Sequence, residues 1–527
     1  MDLRLVPAVL VTWSVAFAGA FIDAAWSAAL AGILVMVGAL LLVGARRHWP
    51  SLPRARTIPA TIALACILGA AVAVHCAVMA NTREEGPLAE AVAEGGGVLI
   101  QVLITGAPTE VRVPGQSSGN RWSVTATLVE VTSKGSVIRG SADLMVMGGN
   151  GWQGVRPGQR VRTSGTLKGV REGQTQAALL SASSAPVHVA STLDLRQSSA
   201  DVRRHFIAAS NWLPPDPAGL MPGMVTGDTS ALPESLEADM KTTGMTHLTA
   251  VSGANCSLVL GGFILLARCL RLTRPAAGVF AACGLVAFVV MVGPDPSVLR
   301  AAVMGTVGLA ALIGGLRGRS LTFLCLATIV LLLLDPSMAA NVGFLLSVLA
   351  TLGIVLLATR VASWIPVWVP RWLAAGVAVP LSAQLLCGPV IVALQPQFTP
   401  YALIANVVAG ILVAPVTIFG TLAVPLSAGL PWLASVPIAI AGSCAGVVAG
   451  VARFFAHLPG AALPWADGPA GVVSMLAFSM VTFLVVWIAL HPTQAMARIV
   501  ALHDALVMLL DLWLGKRSGG RGPSKET

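Results

Sequence analysis

Apolar positions along this chain follow two rhythms. The first is a series of blocks near 5–23, 26–45 and 58–80, then at about 244–268, 275–293, 297–315, 320–334 and 340–358, and finally near 372–394, 400–424, 432–456 and 470–490. Each is close to the roughly 20 residues that cross a hydrocarbon core as a helix. A large soluble core would break such blocks with amphipathic periodicity, and these are not broken. The second rhythm occupies about 85–195, where short alternating runs are separated by Gly, Pro, Ser and Asn. Val98–Ile104, Trp122–Val131, Ala142–Met147, Gln159–Leu167 and Ala177–Ala185 read as five strands, divided by turn signals such as Gly148-Gly149-Asn150-Gly151 and Pro157-Gly158.

Five short strands in about 100 residues suit a small barrel of the OB type, and a sandwich fragment would look similar. The pattern therefore predicts an all-α polytopic membrane bundle of about 11–12 transmembrane helices with one inserted extracytoplasmic all-β OB-like domain. Its parts are N-terminal helices over 1–80, the β domain over 85–195 and a connector over 196–243 with an amphipathic stretch around Ser235–Lys241. A membrane region follows over 244–490, then a basic tail over 491–527. The first block also reads as a signal peptide ending at Ala18-Gly19-Ala20, but the second follows so closely that a membrane hairpin is the better reading.

Composition sharpens this picture. Apolar residues make up 56% of the chain and charged ones 11%, against about 25% charged in soluble proteins. The net charge of +10 suggests nucleic acid until the positions are inspected. Arg46, Arg47, Arg54 and Arg56, then Arg268, Arg271 and Arg274, Arg317 and Arg319, Arg360, and finally Lys516, Arg517 and Arg521 all fall in alternate loops or the tail. The positive-inside rule puts those loops and both termini in the cytoplasm, and the β domain outside a cell membrane. Trp122 and Trp152 are the β domain's only large aromatics, a thin supply for stacking bases. None of the eight cysteines lies in the β stretch and no CxxC pair occurs, so no zinc site, disulfide framework or other cofactor is signalled.

The candidate chemistry gathers in Thr242–Ser257, TTGMTHLTAVSGANCS. Taken as one helical span, its Thr246, His247, Ser252, Asn255 and companions point to nearly every side. Lipid-facing helices do not tolerate that, so the segment is expected to be surrounded by other helices or to line a watery path. Ser252-Gly253 is a plausible helix break, of the kind that serves passage of a polar solute. The plainer reading is that Ser and Thr bond back to their own helix and aid packing. Arg300 neutralises an anionic solute, or pairs with Asp295 or a headgroup. Gln384 and Asn406 lie inside apolar runs. A Ser252–His247 hydrolase is disfavoured, because five residues of helix turn the pair about 140° apart and no carboxylate is near. No GxxxxGK[ST] loop is present to drive a pump.

Gly244-Met245-Thr246-His247-Leu248-Thr249-Ala250-Val251-Ser252-Gly253-Ala254-Asn255 resembles the signature of ComEC-type competence proteins, the inner-membrane component of bacterial DNA uptake. Gly227-Asp228, Pro296-Ser297-Val298-Leu299-Arg300-Ala301, Asp335-Pro336, Gly343-Phe344-Leu345-Leu346-Ser347, Gln384 with Pro389, and Asn406 with Pro415 follow in the family's order. The resemblance implies a channel that passes single-stranded DNA into the cytoplasm during natural transformation. It makes Asp228, Thr246, His247, Ser252, Gly253, Asn255, Arg300, Phe344, Ser347, Gln384 and Asn406 candidates for the path. Implied partners are the DNA strand, the lipid bilayer, a helicase-like ATPase and DNA-binding competence proteins. A homodimer is compatible with the same chain, and a channel for another polar or anionic solute is the alternative function. Many relatives carry a metallo-β-lactamase-like domain, whereas no HxHxDH run occurs here. The expectation is therefore a conduit without enzymatic activity of its own.

Overall fold

The computed structural model describes residues 3–48, 57–84, 92, 95–106, 108–111, 121–133, 136–139, 142–155, 158–169, 177–189, 195–249, 251, 253–293, 296–313 and 320–518. Three helices open the chain: α1 (Val6–Ala18), α2 (Ala24–His48) and α3 (Thr57–Glu84). The β region follows with β1 (Gly97–Ile104), β2 (Thr109–Val111), β3 (Arg121–Ser133), β4 (Ser136–Arg139), β5 (Asp143–Gly148), β6 (Arg160–Lys168), β7 (Ala178–Ala182) and β8 (Val187–His188). Then come α4 (Leu195–Ser210), α5 (Pro215–Thr226), α6 (Glu234–Thr242), α7 (Gly253–Cys269), α8 (Arg274–Val292), α9 (Pro296–Ile313), α10 (Ser320–Leu334) and α11 (Val342–Gly353). The chain continues through α12 (Thr359–Trp364), α13 (Arg371–Leu394), β9 (Gln397–Phe398), α14 (Ala402–Gly429), α15 (Pro431–Ala456), β10 (Leu463–Pro464), α16 (Gly468–Leu490) and α17 (Pro492–Ser518). Residues 1–348 with 399–462 form one compact unit, and 349–398 with 463–527 another.

In the β region the path runs β1-β3-β5-β7-β6, and β6 pairs back onto β1 from Gly97↔Thr166 to Leu103↔Arg160. Only β5–β7 is parallel among these pairs. This is the closed five-stranded topology of an OB barrel, built on the five strands the alternation predicts. The short β2, β4 and β8 are additions that the sequence pattern did not suggest. Alternate residues Val98, Ile100, Val102 and Ile104 point inward with Val124, Leu144, Val146, Val161 and Leu180. Trp152 plugs this core from a 3₁₀ turn, fully buried, and its indole N–H donates to the Ser184 carbonyl at 3.3 Å. Gly148 is required beneath it, since a Cβ there would stand 2.2 Å from the ring.

Among the described residues eight helices are long and apolar enough to cross a membrane: α2, α3, α8, α11 continued through α12, α13, α14, α15 and α16. The apolar helices α1, α7 and α10 are shorter. A π-helical turn at Ile354–Ala358 joins α11 to α12, so this rod extends to Trp364. The basic tail forms the long helix α17 over most of its length. One reading is corrected. The block 244–268 is not a single helix; only its part from Gly253 onward is, with a 3₁₀ turn at Thr246–Leu248 before it. Two glycines explain the interruption: Gly244 takes a φ of +67°, which turns the chain out of α6, and Gly253 opens α7.

In the first unit α14 and α15 pack through small residues: Ala405, Ala409 and Ala423 against Ala434, Ala441, Ala445 and Ala449. Small side chains let backbones approach, and close contact is the attraction left where lipid is as apolar as protein. Gly420 and Gly442 continue the seam, receiving Val225 and Leu213. The N-terminal helices dock through Trp13, whose ring stacks on Phe344 at 4.9 Å. His75 adds a hydrogen bond to the Leu333 carbonyl at 3.0 Å.

Candidate functional site

The stretch between α4 and α7 enters the first unit without crossing it. Helix α5 has 12 residues, about 18 Å of rise, too short for a membrane core of about 30 Å. Leu220, Met221, Met224 and Val225 bury against α14 and α15. Gly227, at φ +75°, ends the helix and leads into Asp228. The Asp228 carboxylate accepts from the Ser230 amide at 3.0 Å and the Ser230 hydroxyl at 2.6 Å, a local turn cap. Asp335 makes the same pair of bonds to Ser337, and the Asn341 side chain accepts from the Phe344 amide at 3.0 Å to cap α11.

Helix α6 buries Leu236 and Met240 and exposes its charged face. Gly244 then lies beside Ala402, the first residue of α14, with room for a Cβ at 3.4 Å. Met245 and Val251 are buried, whereas Thr246 and His247 between them are exposed. The Thr249 hydroxyl closes the turn on the Thr246 carbonyl at 2.8 Å.

Asn255, three percent exposed, stands at the start of α7. Its amide donates to the Met224 carbonyl at 2.9 Å, and its side-chain oxygen accepts from the Thr417 hydroxyl at 3.0 Å. Thr417 lies near the middle of the 28-residue α14, about 22 Å of rise from Ala402. Between Gly244 and Asn255 the chain therefore descends half the length of a membrane-crossing helix, largely without regular helix. Irregular backbone at that depth is tolerated only inside protein or along water. Thr246 and His247, two and three residues past Gly244, expose their side chains near the Ala402 end of α14.

The remaining candidates fall in different places. Ser252 lies outside the described residues, and of Arg300 only the backbone, as the fifth residue of α9, is described. At Gly253 a Cβ would meet no described atom within 4 Å. Phe344 is sealed against Trp13, with Ser347 half-buried one turn further on. The Asn406 amide donates back to the Ala402 carbonyl at 2.8 Å. Gln384 is half-buried in α13, within the second unit. Asn255 and Phe344 thus hold helices together instead of facing open space.

Sequence reasoning missed Arg453, in the last turn of α15. Its guanidinium grips Asp216 with two bonds, Nε to Oδ2 at 2.6 Å and Nη2 to Oδ1 at 2.8 Å. It also reaches Asp239 at 3.2 Å and the Ser235 hydroxyl at 3.3 Å. The hydrogen bonds from Arg453 hold the Asp216 carboxyl below the usual carboxylate range, against the opposing effect of burial. The signal was present, since a lone arginine inside an apolar block is an expensive residue that needs partners.

An irregular polar segment among apolar helices, joined to a closed β barrel, defines a multi-pass membrane protein. The family model described as Competence protein matches residues 224–491, just over half of the 527-residue chain. The chain belongs to this competence protein family. It is similar to ComE operon protein 3 of Bacillus subtilis (strain 168), 34% identical over 156 residues. That match takes in 29% of this chain and 20% of the relative, so the chain spans about a fifth of that protein's length. No solved structure matches the chain.

Proposed function

We propose that this protein passes single-stranded DNA across the cytoplasmic membrane during natural transformation, with the β barrel outside and both termini in the cytoplasm. The observation that carries the reading is the exposed Thr246–His247 turn, set in irregular backbone that gives way to α7 at Gly253, with Asn255 bonded to the middle of α14. A path lined this way suits a polyanion. Thr242–Ser257 contains no Lys or Arg, and tight phosphate binding would stall a moving strand. Membership of a family named for competence supports DNA as the substrate class, and the basic alternate loops support this orientation. Directional movement then falls to a helicase-like ATPase partner, with DNA-binding competence proteins delivering the strand.

Deleting the gene in a naturally transformable host is expected to abolish transformation while leaving DNA bound at the cell surface. Unchanged transformation frequency would overturn the reading. The neutral polar wall would equally serve a small anionic solute. Vesicles holding the purified protein are therefore expected to admit labelled oligonucleotide in preference to small anions, and the reverse preference would assign the path to the solute.

A further inference from the structure

The stretch from Pro215 to Val251 consists of two short helices and a 3₁₀ turn joined at two glycines, Gly227 and Gly244, both in the left-handed region. Such joints leave the angle between the pieces to tertiary contacts. A single side chain supplies polar contacts to both helices. Arg453 meets Asp216 in the first turn of α5, and meets Ser235 and Asp239 on α6. The planar guanidinium is suited to this task, because its fork matches one carboxylate in two bonds and leaves Nη1 free for a second. Two carboxylates converge on one cation, so removing Arg453 leaves Asp216 and Asp239 facing each other without compensation.

We propose that Arg453 is a positioning residue for the polar path: it latches α5 and α6 to α15 and thereby sets where the Thr246–His247 turn stands. This rests on the reading of that turn as the wall of a conduit, but its test does not require DNA. A Thr246→Cys substitution in the full chain, purified in lipid nanodiscs, reports the turn's exposure through its rate of reaction with a hydrophilic maleimide. The same chain without that substitution serves as the baseline.

Adding Arg453→Ala is expected to change the rate fivefold or more. Arg453→Lys, which keeps the charge but loses the fork, is expected to fall between. Combining Arg453→Ala with Asp216→Asn removes the repulsion and is expected to move the rate back toward the parent. Such restoration separates a latch from general loss of packing, which a second substitution would only worsen. An unchanged rate in the Arg453→Ala chain overturns the proposal, and so do equal rates in the single and double variants. Where Arg453→Ala does not accumulate, Asp239→Asn is expected to shift the rate two- to threefold, and no shift there is equally fatal. In cells the Arg453→Ala chain is expected to lower transformation at least tenfold. If the parent chain moves no DNA at all, the substrate reading falls while the labelling still judges the latch.

Discussion

The β barrel and the helical bundle solve the same packing problem with opposite polarity. In the barrel Ile100, Val102, Leu144 and Val146 are sealed inside, while Arg162, Thr166 and Lys168 of β6 face out. In the bundle the large apolar side chains face out: Val279 is 65% and Leu265 63% exposed in the protein alone. Its interior is rich in alanine and holds polar groups such as Thr328, Thr417 and Asn255. The difference teaches that the surrounding medium decides which residues go inward. Water rewards burial of apolar area, whereas lipid offers no such reward and leaves close packing and internal hydrogen bonds to organise the helices.

Paired substitutions can break this comparison. Ile100→Asp should cost the barrel more than about 4 kcal/mol, by burying an unpaired carboxylate, and leave it open to protease while the bundle stays inserted. Val279→Asp, fully tolerable on a water-facing surface, should instead cost about 3 kcal/mol of membrane insertion, read as lost integration of α8. On the barrel's outer face the matching change Leu99→Asp should cost about 0.5 kcal/mol or less, read by the same protease assay. Equal effects at Val279 and Leu99 would remove the contrast.

A smaller effect tests the polar interior. Asn255→Ala strands the Met224 carbonyl and the Thr417 hydroxyl, so the thermal stability of the purified protein should fall by about 1–3 kcal/mol. No change in melting would mean that those groups are already wet. A weak effect is also expected at Asp216, where the partly exposed pair with Arg453 is worth about 1 kcal/mol or less. Because its carboxyl is held below the usual range, that contribution is present above about pH 4 and is lost as pH falls through the lowered value. Asp216→Asn should therefore lower the melting temperature equally at pH 5 and pH 7, and the deficit should fade only in stronger acid. A deficit that grows on acidification would contradict the sign.

The two regions were unequally legible. Strand alternation and turn residues located all five barrel strands, because in water the period-two pattern is the cause of the fold. Of the twelve apolar blocks, eight hold helices long and apolar enough to cross a membrane among the described residues, and the rest hold shorter ones. The polar segment was found by its composition and its break before α7 at Gly253 was anticipated, but the turn at Gly244 was not, because it depends on the neighbouring Ala402 and on α6 being held elsewhere. Phe344 and Asn255 were chosen as residues of the path, but their roles follow from Trp13 and Thr417, more than 160 positions away in sequence. Arg453 lies 237 positions from Asp216, beyond any local pattern.

By itself the amino-acid order determined the division into an alternating β domain and apolar spans, since each depends only on the period of hydrophobicity and the solvent it meets. The tertiary structure alone decided that Gly244 also interrupts a membrane-length block, that α7 starts beside the middle of α14, and that one arginine ties two short helices to α15. Those outcomes turn on contacts between residues distant in sequence, where a polar group inside a bilayer accepts whichever partner the packed helices bring within hydrogen-bonding reach.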